Sequence, residues 1–105
     1  MAADLGCDVA IIGAGTAGLA AERSARRSGA RTLLIDPEFN GTTCANVGCM
    51  PSKLLIAAAE AAYAARQAPL FGVRATATID GVAVMQRLRD ERDRYAQATR
   101  DTRPD

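Results

Sequence analysis

The sequence predicts an α/β fold: a β-α-β start followed by two helices, with the parallel sheet left incomplete within this chain. Three observations carry that expectation. A short apolar run, Val9–Ile12, leads directly into Gly13-Ala14-Gly15-Thr16-Ala17-Gly18. A second apolar run ends on Asp36, and two later stretches of helical character are separated by a segment holding Pro69 and Gly72.

Taken in order, Val9–Ile12 suits a strand buried on both faces. The glycine-rich turn opens a helix in which Leu19, Ala20 and Ala25 offer a small apolar face. Glu22, Arg23, Arg26 and Arg27 are left for solvent. Gly29 stands where a helix C-terminus favours a residue tolerant of positive φ. Arg31–Ile35 reads as the second strand, closed by Asp36. From Pro51 to about Gln67 the chain is Ala-rich and helical, with Leu54, Leu55, Ala58, Ala62 and Ala65 on one side. Residues 68–78 read as a turn or loop with room for a short extended piece. Asp80 is placed to N-cap a last helix from Gly81 to about Thr99, striped by Val82, Met85, Leu88, Tyr95 and Ala96. Arg87–Glu91, Arg89–Asp93 and Asp90–Arg94 are opposite charges at i,i+4, each worth about 0.2–0.5 kcal/mol. That charge run reads as a solvated helix face with no function of its own.

The 105 residues allow one domain at most, and the net charge of +1 favours neither nucleic acid nor an anionic membrane as a partner. No apolar run approaches the length of a membrane span. The opening residues show no basic segment leading into an apolar one, so a cytoplasmic location is the expectation. The chain has no His, which excludes an imidazole base or ligand from these residues. It has twelve Arg but a single Lys, Lys53. Its three Cys do not make a structural disulfide framework; a close pair in such a chain points to redox chemistry or metal.

A lone G-x-G-x-x-G says little. Here a strand precedes it, a helix and second strand follow, and an acid lies 18 residues beyond the last glycine. That context is the Rossmann-like dinucleotide fingerprint. Gly13 permits the tight turn, Gly15 lets the backbone approach a pyrophosphate, and Gly18 lets the helix pack closely on the strand. The N–H groups of Thr16 and Ala17 and the helix dipole favour phosphate charge. Asp36 is suited to accept ribose hydroxyls and argues against a 2′-phosphate there. The plainer reading is a glycine-rich turn that serves packing only. This stretch does not separate NAD from FAD.

Gly41-Thr42-Thr43-Cys44-Ala45-Asn46-Val47-Gly48-Cys49-Met50-Pro51-Ser52-Lys53 sets two cysteines five positions apart. On a regular α-helix their Cα atoms would lie roughly 8.7 Å apart, beyond the 4.4–6.8 Å or so that a disulfide spans. An irregular helix start can bridge them, with Gly48 supplying backbone freedom and Pro51 favouring the first turn of the helix that follows. If bridged, the pair closes a short ring, and strained disulfides are the readily reduced kind. A thiolate near a helix N-terminus with a lysine nearby has its charged form favoured. Two inert buried thiols remain the alternative. Zinc finds too few ligands, so no metal site is expected.

That segment resembles the redox-active motif of the pyridine nucleotide–disulfide oxidoreductases, G-G-T-C followed by four residues and C-x-P-S/K-K. These flavoenzymes include dihydrolipoamide dehydrogenase, glutathione reductase and mercuric reductase. The order of motifs also matches, over residues 8–53. The resemblance implies FAD as cofactor, its pyrophosphate cradled by Gly13, Gly15 and Gly18 and its adenosine ribose held by Asp36. Thr43 would hydrogen-bond near the flavin or its phosphates. Cys44 would be the interchange thiol that attacks a substrate disulfide, Cys49 the charge-transfer thiolate against the flavin, and Lys53 a positive charge at the flavin's reactive edge. Ser52 before Lys53 resembles dihydrolipoamide dehydrogenases and mercuric reductases, and residues 71–94 resemble a bacterial dihydrolipoamide dehydrogenase branch. Two departures stand out: Thr42 occupies the place of the second glycine, and Asp36 that of a commoner glutamate.

Members of that family are much longer. They add strands that complete the FAD domain, a second G-x-G-x-x-G domain for NAD(P)H, and an interface domain whose His–Glu pair acts across a homodimer. The resemblance therefore identifies residues 1–105 as the N-terminal part of an FAD-binding domain, a fragment unable to complete the cycle alone. The implied substrate is a small-molecule or lipoyl disulfide or dithiol. A non-enzymatic FAD- or nucleotide-binding redox module and a mercuric reductase-like member are the alternatives.

Overall fold

A computed structural model describes residues 5–104. In chain order the elements are β1 (Val9–Ile12), α1 (Thr16–Arg27), β2 (Thr32–Ile35), α2 (Thr43–Asn46), α3 (Cys49–Gln67), a 3-10 turn (Ala68–Phe71) and α4 (Gly81–Arg100). This is the α/β start expected, with a sheet of two strands. The chain forms two compact units, one reaching Thr43 and resuming at Ala96, the other from Cys44 to Tyr95.

In the first unit β1 and β2 run parallel, with Val9 opposite Thr32 and Ile12 opposite Ile35. The ladder extends at both ends: Asp8 N donates to Arg31 O at 2.9 Å, and Gly13 N to Ile35 O at 2.7 Å. The Asp8 carboxylate also accepts from the Arg31 backbone and guanidinium, which holds its pKa below the usual carboxylate range. Parallel strands need a crossover, and α1 supplies it, packing on both strands. Its C-terminus closes with Gly29 at φ +83, where Gly29 N bonds Arg26 O and Ala30 N bonds Ala25 O. That left-handed glycine and its paired back-bonds form a Schellman stop. Ile11, Ala14, Leu19 and Ala96 are the buried apolar residues of this unit.

β1 is not buried on both faces: Ile11 is buried, but Ile12 is 87% exposed, because α1 lies over one side of a two-stranded sheet. Ala20 is exposed too. Glu22 is buried and not turned to solvent. It follows Leu19 by three positions and Gly18 by four, the spacing that shares a helix face, so its carboxylate turns toward β2. There Oε1 accepts from Arg26 Nε at 2.8 Å and from Thr32 Oγ1 at 2.9 Å. Loss of water pushes its pKa up, but Arg26 and Thr32 outweigh this and hold the group below the usual range.

In the second unit α3 starts at Cys49, two residues ahead of Pro51. Leu54, Ala58, Ala62 and Ala65 are its half-buried stripe, and Leu55 falls outside it at 48% exposed. The segment after α3 is a 3-10 turn stopped by Gly72 at φ 75, and residues 73–80 are irregular rather than extended in a sheet. Asp80 caps α4, its Oδ1 accepting from Ala83 N at 3.0 Å. Leu88 is buried on α4, but Val82 is 82% exposed. The charge run pairs differently from the i,i+4 expectation: Arg94 bridges Glu91, Arg92 bridges Asp93, and Asp90 accepts from the Gln86 amide. On an exposed face several such pairings lie close in energy, so spacing alone does not choose among them.

Candidate functional site

The glycine turn sits between β1 and α1. Gly13 has φ +102, a left-handed value that favours glycine. A Cβ on Gly18 would lie 1.7 Å from the Gly13 carbonyl oxygen and 3.5 Å from Ile11 Cγ2. Gly18 is thus where α1 crosses closest to the strand and turn. Gly15 is different. Its φ of −82° is ordinary, and a Cβ there would meet nothing within 4 Å. Nothing among the described residues requires glycine at that position, whereas a phosphate brought up to the backbone would.

Gly15 is also the N-cap of α1, with no side-chain cap and no acidic residue in the first turn. The first N–H groups of a helix lack intrahelical partners, and its positive dipole end favours an anion. Thr16 and Ala17, the first two helical residues, stand exposed. The turn therefore fits a pyrophosphate.

Asp36, at the end of β2, reaches across to this turn. Its Oδ2 accepts from Ala14 N at 2.8 Å, and its Oδ1 accepts from Glu38 N at 3.0 Å and Phe39 N at 2.8 Å. The Ala14, Glu38 and Phe39 amides together hold the carboxyl below its usual range. Sequence reasoning overlooked that Asp36 closes its own loop. The available signal was an Asp followed by Pro37, the composition of an Asx turn.

The cysteines belong to the second unit. α2 ends at Asn46, and Val47 and Gly48 break the helix before Cys49 opens α3. That break brings the two Cα atoms to 4.6 Å, and Cys44 and Cys49 are joined by a disulfide. Cys49 is the first residue of α3 with Gly48 as N-cap, so its sulfur stands at the positive end of a 19-residue helix. Ser52 Oγ donates to the Cys49 carbonyl at 3.0 Å, a local bond that was also overlooked. Lys53 is exposed, four residues after Cys49 on the same helix face. Thr43 opens α2 and is exposed, whereas Thr42 is buried. Cys7 is a free, half-buried thiol ahead of β1. Among the described residues no cluster of His, Cys, Asp and Glu could hold a metal, and no helix is long and apolar enough to cross a membrane.

The family model for pyridine nucleotide-disulphide oxidoreductases matches residues 7–102. This chain belongs to that family. It is 47% identical over 75 residues to a mercuric reductase of Streptomyces lividans, covering 70% of this chain and 16% of the relative. It is 41% identical over 93 residues to a mercuric reductase of Shigella flexneri, covering 85% and 16%. A dihydrolipoyl dehydrogenase of Chlamydia muridarum is 42% identical over 81 residues, covering 76% and 17%. The chain thus spans about one-sixth of the length of these relatives.

Proposed function

We propose that residues 1–105 are the N-terminal part of the FAD-binding domain of a disulfide oxidoreductase, contributing its pyrophosphate cradle and its redox disulfide. The observation that carries this is the Cys44–Cys49 bridge, closed across a helix break with Cys49 at the head of α3. Gly13, Gly15, Gly18 and the Thr16 and Ala17 amides would hold the FAD pyrophosphate, Asp36 the ribose, and Thr43 would hydrogen-bond near the flavin or its phosphates.

In the dehydrogenase direction a substrate thiolate attacks Cys44 Sγ. The Cys44–Cys49 bond breaks, a mixed disulfide forms on Cys44, and Cys49 leaves as a thiolate. The α3 N-terminus and Lys53 favour that charge. The second substrate thiolate then attacks its own sulfur in the mixed disulfide, displacing Cys44, and the substrate departs as a disulfide. The pair has gained two electrons, and the two substrate protons are released. FAD, when bound, supplies the two-electron acceptor between this dithiol and a nicotinamide. NAD(P)+ would be the final electron acceptor, and no acid–base imidazole comes from residues 1–105, which contain no His. A cytoplasmic homodimer acting on a lipoyl or small-molecule dithiol fits this scheme.

The test is the visible spectrum of the purified chain titrated with FAD and then with a dithiol. Bound flavin is expected, with a long-wavelength band that appears on adding the dithiol in the wild type, is absent in Cys49→Ser, and is present without any dithiol in Cys44→Ser. A folded chain that takes up no FAD overturns flavin binding by residues 1–105 on their own, while the family assignment stands on the sequence match. Dihydrolipoamide is our favoured substrate, on the resemblance of Ser52-Lys53 and residues 71–94; the mercuric reductases among the relatives favour mercuric ion as the second reading. A bridge that re-forms with lipoamide no faster than with glutathione disulfide overturns the lipoyl assignment.

A further inference from the structure

Cys49-Met50-Pro51-Ser52 has the spacing of a Cys-X-X-Cys motif at a helix start, with a hydroxyl where the second thiol would stand. Cys49 is the first residue of α3 and Ser52 the fourth. Side chains three apart on a helix are neighbours, and each leans back toward the helix N-terminus. Ser52 therefore leans over Cys49. Its Oγ already reaches that residue, donating to the Cys49 carbonyl at 3.0 Å.

That bond is one the helix can release. A carbonyl in the first turn also receives the N–H four residues ahead, here that of Lys53. The Cys49 oxygen thus keeps a partner when the hydroxyl turns away. Cys49 and Ser52 are both exposed, and the hydroxyl changes direction by rotation about one side-chain bond. Pro51 has no N–H, so this first turn offers a thiolate fewer backbone donors than an ordinary helix start.

We propose that the Ser52 hydroxyl is a hydrogen-bond donor to the Cys49 thiolate, turning from the Cys49 carbonyl to Sγ when the Cys44–Cys49 bridge opens. Attack on Cys44 Sγ breaks the S–S bond and leaves its electron pair on Cys49 Sγ. The hydroxyl keeps its proton and exchanges one acceptor for another, and no electrons pass through Ser52. This inference rests on the redox reading of the cysteine pair above and adds a residue to it.

The experiment titrates the Cys49 thiol alone, as the rate of alkylation by iodoacetamide against pH. The full chain carries Cys7→Ala and Cys44→Ala, with Ser52 kept or changed to Ala or Thr. Ser52→Ala is expected to raise the midpoint by about 0.5–1 unit, roughly a threefold to tenfold loss of thiolate at a fixed pH below it. Ser52→Thr, which keeps the hydroxyl, should restore the midpoint. Equal midpoints with and without the hydroxyl overturn the proposal, as does a Ser52→Thr midpoint that follows Ser52→Ala. A serine that only supports the Cys49 carbonyl would move the urea midpoint and leave the thiol midpoint in place, the same negative result. The titration needs no flavin. Loss of the long-wavelength band from the reduced wild-type chain with FAD bound would instead count against the flavin reading, and would leave the thiol titration to decide this one.

Discussion

A Cβ on Gly18 would stand 1.7 Å from the Gly13 carbonyl oxygen and 2.8 Å from its carbon, both backbone atoms that cannot swing aside. Gly15, three residues earlier, has open space and an ordinary φ. The two positions should therefore separate folding from binding. Gly18→Ala is expected to destabilise the chain by at least about 1–3 kcal/mol, the usual cost of overpacking. Gly15→Ala should shift stability by no more than about 0.5 kcal/mol but weaken FAD binding at least tenfold. Urea midpoints beside flavin titrations check both. A Gly15→Ala chain that binds FAD normally would mean that the turn serves packing alone. At this scale Gly13 and Gly18 were legible because each answers to a local backbone demand, a positive φ and a close approach, whereas Gly15 answers to none within the described structure. The buried Thr42 was not, since the family motif places no side chain there at all.

Three carboxylates tie the elements of the first unit together. Asp8 joins the start of β1 to Arg31, Glu22 joins α1 to Thr32 of β2, and Asp36 joins the end of β2 to the turn. All three have pKa values lowered in the folded chain. The unfolded chain therefore binds more protons in the acid range, and stability must rise with pH there. Their contribution is complete above the ordinary Asp and Glu values of about 3.9 and 4.3, and it is lost as pH falls through the lowered values. The urea midpoint should be level from about pH 7 to 5 and drop below about pH 4.5. Glu22→Gln and Asp8→Asn should each flatten that drop, and an unchanged acid limb in both would refute the assignment. These links show where sequence reading stops. β1, α1, β2, α3 and α4 were legible from apolar runs and helical spacing, which are local signals. The facing of Glu22 was not, because α1 carries only Leu19 as a large apolar residue and its small alanines do not fix which side meets the sheet.

Taken across both units, the described apolar core is small: Ile11, Ala14, Leu19, Ala45, Leu88 and Ala96, and no large side chain is completely buried. Ile12, Val47, Leu70, Phe71 and Val82 are each more than three-quarters exposed. Burial of this extent leaves little margin over the conformational entropy lost on folding. The site residues are better specified than the core that carries them: the glycine turn was readable from its strand–helix context and the cysteine pair from its family motif, while the Asp36 loop depends on a backbone twist at Phe39 that no sequence pattern announces. A ligand for the turn should then contribute a large share of the stability. Any ligand that binds only the folded chain adds RT ln(1 + [L]/Kd), about 2.7 kcal/mol at a hundred times Kd. FAD at that concentration should raise the urea midpoint of the wild-type chain accordingly. At the same FAD concentration a tenfold weaker Gly15→Ala should gain only about 1.4 kcal/mol, roughly half as much, from a starting midpoint expected to match the wild type. If FAD leaves the wild-type midpoint unmoved, the flavin does not bind the folded chain preferentially, and the free space above Gly15 has another cause.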